Sequence, residues 1–447
     1  MPFLTRQSPR PAERMPAIKR LIWIYLFLFF FEGAIRKWLL PQLSAPLLIV
    51  RDPFAILIIW EAYRSHRWPR QWAGTIAILC SVFIPLMLMQ MVVAQTPWYV
   101  ALYGLRSYLL PFPVAFVIGE VFDRNDLHQV GKWALFLLLP TVILEILQYR
   151  ADPSAWINAG ASEGASQIGY VGNHVRASGT FSYVAGPMFY IPLAAAFLFY
   201  GLVNEEFSAG REWLFWASAG AVVLAIPVTG SRTMVFLLGL MMLCIAIGAF
   251  LGVSQFGKTM KLLIPILCTG FLMSFLPIFS EASGSLNERF AEASASEGGA
   301  QVSFVNRTIT PFIDNIADSF VRNDWIGMGM GYGSNVAAKL TTGGLVFLAG
   351  ENEIDRLVNE LGPLAGIGFM AFRIFLALIF ILKGIRKAAD QDPLAWLLVP
   401  VTVSCLLVGI LEQPTEQGFL VISMGLSLAA LKGSKTDSSA IHIQPAA

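Results

Sequence analysis

Of 447 residues, 56% are hydrophobic and 13% charged, with a mean hydropathy of +0.64, whereas a soluble domain carries about 25% charge. This balance excludes a soluble globular fold and predicts an all-α polytopic membrane protein, one integral membrane domain over 1–447. The net charge is only +2, which argues against a nucleic-acid partner and against a polybasic anchor.

The chain opens on a basic stretch (Arg6, Arg10, Arg14, Lys19, Arg20) followed by apolar Leu21 to Phe31, the pattern of a secretory signal. The EGAIRKWLLPQ that follows is a poor cleavage site, so 20–40 is expected to stay as a first span. About 20 apolar residues cross a hydrocarbon layer of about 30 Å, and such runs recur about twelve times. They fall near 20–40, 45–62, 73–93, 98–121, 128–148, 183–203, 212–228, 233–253, 260–279, 363–383, 394–411 and 416–431. Residues 32–53 crowd charges around the first turn, which is expected to be packed and charge-paired. Arg106, Glu145 and Arg373 fall inside spans, where facing lipid is costly, so they should point into the bundle. Cys80, Cys244, Cys268 and Cys405 stand singly in apolar runs and read as small core residues.

Counting spans puts more than half of the 31 Lys and Arg residues, Arg64, Arg67, Arg70, Arg124, Arg211 and Lys383 among them, on the side of the N-terminus. The positive-inside rule then predicts cytoplasmic N- and C-termini. Two long segments, 149–182 and 280–362, and the short turn TGSRT at 229–233 are accordingly expected outside the cytoplasm.

The second long segment begins as a Ser, Ala, Gly and Glu-rich surface loop over 280–303. Ile309, Phe312, Ile313, Ile316 and Phe320 then recur at helical spacing, predicting an amphipathic helix lying on membrane lipids or on the bundle. GMGMGYG at 327–333 lacks the preceding strand of a dinucleotide loop and reads as a tight turn that lets backbone approach a ligand or another segment. In AGENEIDRLVNELG, 349–362, Ile354, Leu357, Val358 and Leu361 form an apolar face. Glu353 and Glu360 are expected to pair with Arg356 on another face, as helix-surface or positioning residues. Gly362-Pro363 should stop this short helix before the next span. Glu351 stands at its N-terminal end, where the helix dipole favours a carboxylate.

Three patterns in this order resemble the O-antigen ligase and O-antigen polymerase superfamily of bacterial envelope glycan enzymes. RASGTFSYVAGPMFYIPL (176–193) is similar to the family's R-x-x-G-T-F opening of a span, and TGSRTMVFLLGL (229–240) to its S-R-[GT] turn. In the long segment, VNRTITPFIDNIADSFVRNDWIGMGMGYG resembles an arginine followed by an amphipathic helix and G-x-G. ENEIDRLVNELGPLAGIGF resembles H-N-x(7)-E-x-G before a span. The resemblance covers about 170–390 and implies glycosyl transfer on the outer face of the bacterial cytoplasmic membrane, polymerising or ligating glycan repeats for exopolysaccharide or O-antigen. The donor implied is an undecaprenyl-diphosphate-linked glycan, the acceptor a hydroxyl of a glycan or lipid-linked glycan, with other polysaccharide-assembly proteins as partners.

On that resemblance Arg232 and Arg307 hold the family's arginine positions, with Arg176 a third; an arginine fork suits the diphosphate oxygens on which charge builds as the glycosidic bond breaks. Asn352, Glu360 and Gly362 match the last motif, but Glu351 stands where the family has its histidine, the residue expected to act as base. Of the histidines only His174 is expected on the outer side. No cofactor and no metal are expected. No phosphate loop is present, so cytoplasmic ATP is no direct energy source. Two other readings are a lipid-linked-oligosaccharide flippase or transporter, with Arg232 and Arg307 binding diphosphate without chemistry, and an inactive family member acting as an assembly scaffold.

Overall fold

The computed structural model describes residues 16–161, 170–171, 174–250, 279, 282–284, 286–287, 291, 325–334, 337, 353–390 and 392–432. These are helical almost throughout. Helix α1 (Ala17–Ala34) runs on as a π-helical turn, Ile35–Leu39, and is followed by α2 (Ser44–Leu47) and α3 (Asp52–Arg64). Then come α4 (Arg70–Val93), α5 (Trp98–Leu109), α6 (Pro111–Val121) and α7 (Arg124–Arg150). A small hairpin, β1 (Tyr170–Val171) against β2 (His174–Val175), precedes α8 (Ala185–Val203), the short α9 (Glu205–Ser208), α10 (Glu212–Thr229) and α11 (Arg232–Phe250). The last described helices are α12 (Glu353–Ala389), α13 (Leu394–Val408) and α14 (Pro414–Leu431).

Among the described residues, eight helical segments are long and apolar enough to cross a membrane, against the twelve or so expected from sequence. Four expected spans account for the difference. The one at 260–279 lies almost wholly outside the described residues. Helix α1 carries Lys19, Arg20 and Glu32 within its 18 residues, α13 has only 15 residues, and α14 opens on the polar Thr415, Glu416 and Gln417. The chain is a multi-pass membrane protein. Helices α6, α8, α13 and α14 are buried on nearly every face and form the core, with Phe189, Phe197, Leu397 and Phe419 all inaccessible. Peripheral α3 and α4 turn Ile56, Trp60, Ile78 and Val92 outward, as helices apolar all round do where lipid is the solvent.

Polar contacts sort the helix ends into two sets. At one end Lys19 Nζ reaches Asp123 Oδ2 at 2.7 Å and also Asp126, the two aspartates that close a capping box at the start of α7. Arg124 pairs with Asp392 at 2.7 Å and donates to the Tyr200 hydroxyl, while Lys432 meets Glu120 at 3.3 Å. The opposite end gathers residues 32–52, 148–161, 174–184, 229–232, 326–334, 353–361 and 409–417, and it holds the densest buried charge among the described residues.

Candidate functional site

The charges around the first turn are paired as expected. Arg36 and Arg51 reach opposite oxygens of Glu32, at 3.0 and 3.1 Å. Arg106 grips Asp52 and stacks on Tyr103. Lys37, buried, donates to Ser178 Oγ at 2.6 Å and to the Gly179 carbonyl at 2.9 Å. Those two residues belong to the RASGTF stretch, whose Gly179 N–H also donates to Gln148 Oε1 at 2.9 Å. Ser182 then meets Thr415 at 3.1 Å, docking this stretch on the head of α14.

The centre of this end is the first part of α12. Both faces of 353–361 are buried, not only the apolar one, so Glu353, Arg356 and Glu360 are not helix-surface residues. Their partners also differ from the expected in-helix pairing. Glu353 pairs with Arg373, which also donates to the carbonyls of Cys405, Leu406 and Gly409, with Gly409 at 2.7 Å. These carbonyls lie at the end of α13, where no further turn supplies donors and a cation is favoured. Glu360 accepts from the Tyr108 hydroxyl at 2.8 Å, from the Gly331 N–H at 3.1 Å and from the Gly333 N–H. Arg356 faces Glu412, in the turn between α13 and α14, at 4.0 Å.

The glycine turn 327–333 approaches another chain segment, as one of its two expected uses required. Gly362 leaves helical geometry at φ 78° and ψ 164°, and so breaks α12 where the Gly-Pro pair predicts. The carbonyls freed before the break are taken by the turn and by α4: Met328 N–H donates to Asn359 O at 2.8 Å, and Gln90 Nε2 to Glu360 O at 2.6 Å. Gln90 completes the clasp by accepting from Met330 N–H at 2.8 Å.

Of the residues singled out from sequence, Arg176 is half-buried at the start of the docked stretch and shares the electrostatic surroundings of Tyr183 with Glu416 and Arg356. Arg232 is half-buried at the first position of α11. The turn before it is built by Gly230, at φ 55°, and by Ser231 Oγ, which accepts from Met234 N–H at 3.3 Å. Its helix start belongs to the same end of the bundle. Arg307, Glu351 and Asn352 lie outside the described residues, as does the expected helix over 309–320. His174 lies against the Tyr149 ring, 4.2 Å between centroids, with Nδ1 3.0 Å from the Tyr149 carbonyl.

Sequence reasoning did not single out Gln90, Tyr108 or Glu412. Each is one polar residue in or beside an apolar run, and only their convergence from distant segments marks them. Both Glu412 oxygens are buried without a hydrogen-bond donor. Burial first, and then the negative charge of Glu360, push its carboxyl well above the usual range. Intramembrane Glu145 likewise points inward, fully buried near Lys37. Among the described residues no group of three or more His, Cys, Asp or Glu is arranged to hold a metal ion. No family model matches the chain, and no curated protein sequence matches it.

Proposed function

We propose that the protein transfers glycan from an undecaprenyl-diphosphate-linked donor to a glycan hydroxyl, at the bundle end that carries Arg176, Arg232 and the 353–361 segment. In this reading that end faces outward from a bacterial cytoplasmic membrane. The acceptor oxygen attacks the anomeric carbon, the bond from that carbon to the diphosphate oxygen breaks, and the lipid diphosphate leaves with the electron pair. Arg176 and Arg232, with Arg307, neutralise that leaving group. Glu351 takes the acceptor proton, with Asn352 beside it holding substrate.

The observation that carries the reading is that the stretch opened by Arg176 docks, through Ser182 and Thr415, on the bundle end that buries Arg356, Glu412 and Glu416. Buried charge in a membrane protein is costly and marks a working site by default.

The test is chain growth by purified protein in lipid nanodiscs supplied with lipid-diphosphate-linked glycan. Arg176→Ala, Arg232→Ala and Arg307→Ala are each expected to lower the rate at least about 100-fold, the effect of losing one charge-stabilising donor, with helix content unchanged. Glu351→Gln is expected to be comparably slow and Glu351→His to retain activity. Undiminished growth in all three arginine variants contradicts the site. A flippase would instead move the donor across the bilayer without any growth.

A further inference from the structure

Where α12 meets the turn between α13 and α14, the buried carboxylates outnumber the buried cations beside them. Glu353, Glu360, Glu412 and Glu416 are all nearly inaccessible, as are Arg356 and Arg373. Arg373 is committed to Glu353 and to the α13 carbonyls. Glu416 accepts the Ile410 N–H at 2.7 Å. Glu360 has three donors of its own and is the better solvated as an anion. Glu412 has none: its side chain is 1% exposed and Arg356 stays 4.0 Å away, too far for a hydrogen bond. What Glu412 does meet is the Glu360 carboxyl. Two carboxylates are acceptors only, so this contact closes only when one of them carries a proton.

We propose that Glu412 and Glu360 form a proton-binding site, in which Glu412 donates a shared proton to Glu360 and so latches the α13–α14 turn onto α12. The remaining charged and titratable groups facing the pair are Tyr103 and Tyr108 from α5 and Glu353 and Arg356 from α12. Arg356 offsets one negative charge, not two. Glu353 adds to the field that keeps the proton on. Removing the proton sets two anions against each other in the junction that also holds the glycine turn, through Gly331 and Gly333 on Glu360. The ligand class is therefore the proton itself, and the site does not depend on what the protein transfers.

A group whose proton affinity is higher in the folded state loses its stabilising contribution as pH rises. Once pH exceeds the ordinary glutamate value of 4.5, the unfolded chain has released this proton and the folded chain has not. The folding equilibrium then falls by about tenfold per pH unit until the folded pair also deprotonates. Infrared spectra and thermal unfolding of the full chain in nanodiscs, followed from mildly acidic to strongly alkaline pH, read both sides of this linkage. The wild type is expected to show a protonated-carboxyl band at neutral pH that disappears under alkali, together with a falling unfolding temperature. Glu412→Gln keeps a donor towards Glu360, so it is expected to fold, to lose one carboxyl's share of that band and to lose that part of the pH dependence. Tyr108→Phe removes a donor that stabilises the Glu360 anion and is expected to move the band's loss to higher pH. Glu412→Gln that fails to fold, or that keeps both the whole band and the full pH slope, overturns the proposal. So does a Tyr108→Phe titration that coincides with the wild type's.

Discussion

At the scale of single residues, Arg373 shows how a charge is kept inside this molecule. It is wholly buried, and its guanidinium finds one carboxylate and three helix-terminal carbonyls, so no donor is stranded. Arg373→Ala would leave Glu353 as an unpaired buried charge, and the expected loss of stability is about 3–5 kcal/mol, measured by denaturant unfolding in detergent. The inward orientation of Arg373 and Glu145 was legible from the sequence, because a charge in an apolar run has nowhere cheaper to go. The partners were not. Glu353 and Glu360 have in-helix neighbours at suitable spacing, so local pairing with Arg356 is the natural expectation. Yet the partners in the fold, Arg373, Tyr108 and the amides of 331 and 333, come from elsewhere in the chain. Glu412, a single acid in a turn between spans, reads as solvated until the turn is seen to be buried.

At the scale of elements, the break in α12 and the glycine turn form one unit. Gly362-Pro363 announced the break, and the run of glycines announced the turn. That each satisfies the other's backbone was hidden, since the hydrogen-bonding partner of a turn is set by packing and not by spacing. Gly329 has φ 120°, and a Cβ there would lie 2.2 Å from Thr96 Oγ1, so Gly329→Ala is expected to cost about 1–3 kcal/mol. Gly368, on the straight part of α12, has nothing within 4 Å of an added Cβ. Gly368→Ala is expected to be neutral or slightly stabilising, with the pair compared by thermal unfolding in one detergent. A similar loss for both would mean that the turn is not held in the backbone geometry described.

At the scale of the whole molecule, the apolar runs and their alternation carried most of the architecture. Segments from several turns and loops between helices meet at one end, through Lys37 with Ser178, Ser182 with Thr415 and Gln90 with Ile326. The spans at 394–411 and 416–431 emerge as short or polar-headed core helices, buried among other helices on nearly every face. The catalytic reading draws on Arg176 and Arg232, which the fold brings to the same end as buried Arg356, Glu360 and Glu412, and on Glu351, two residues before the buried segment in sequence. Its central claim is that a glycosidic bond is made while a lipid diphosphate is released. The most direct measurement is the stoichiometry of purified wild-type protein given lipid-diphosphate-linked glycan alone. Equal amounts of free lipid diphosphate and new glycosidic bonds, appearing together, are the predicted result; donor that remains intact, whether or not it crosses the bilayer, would contradict it.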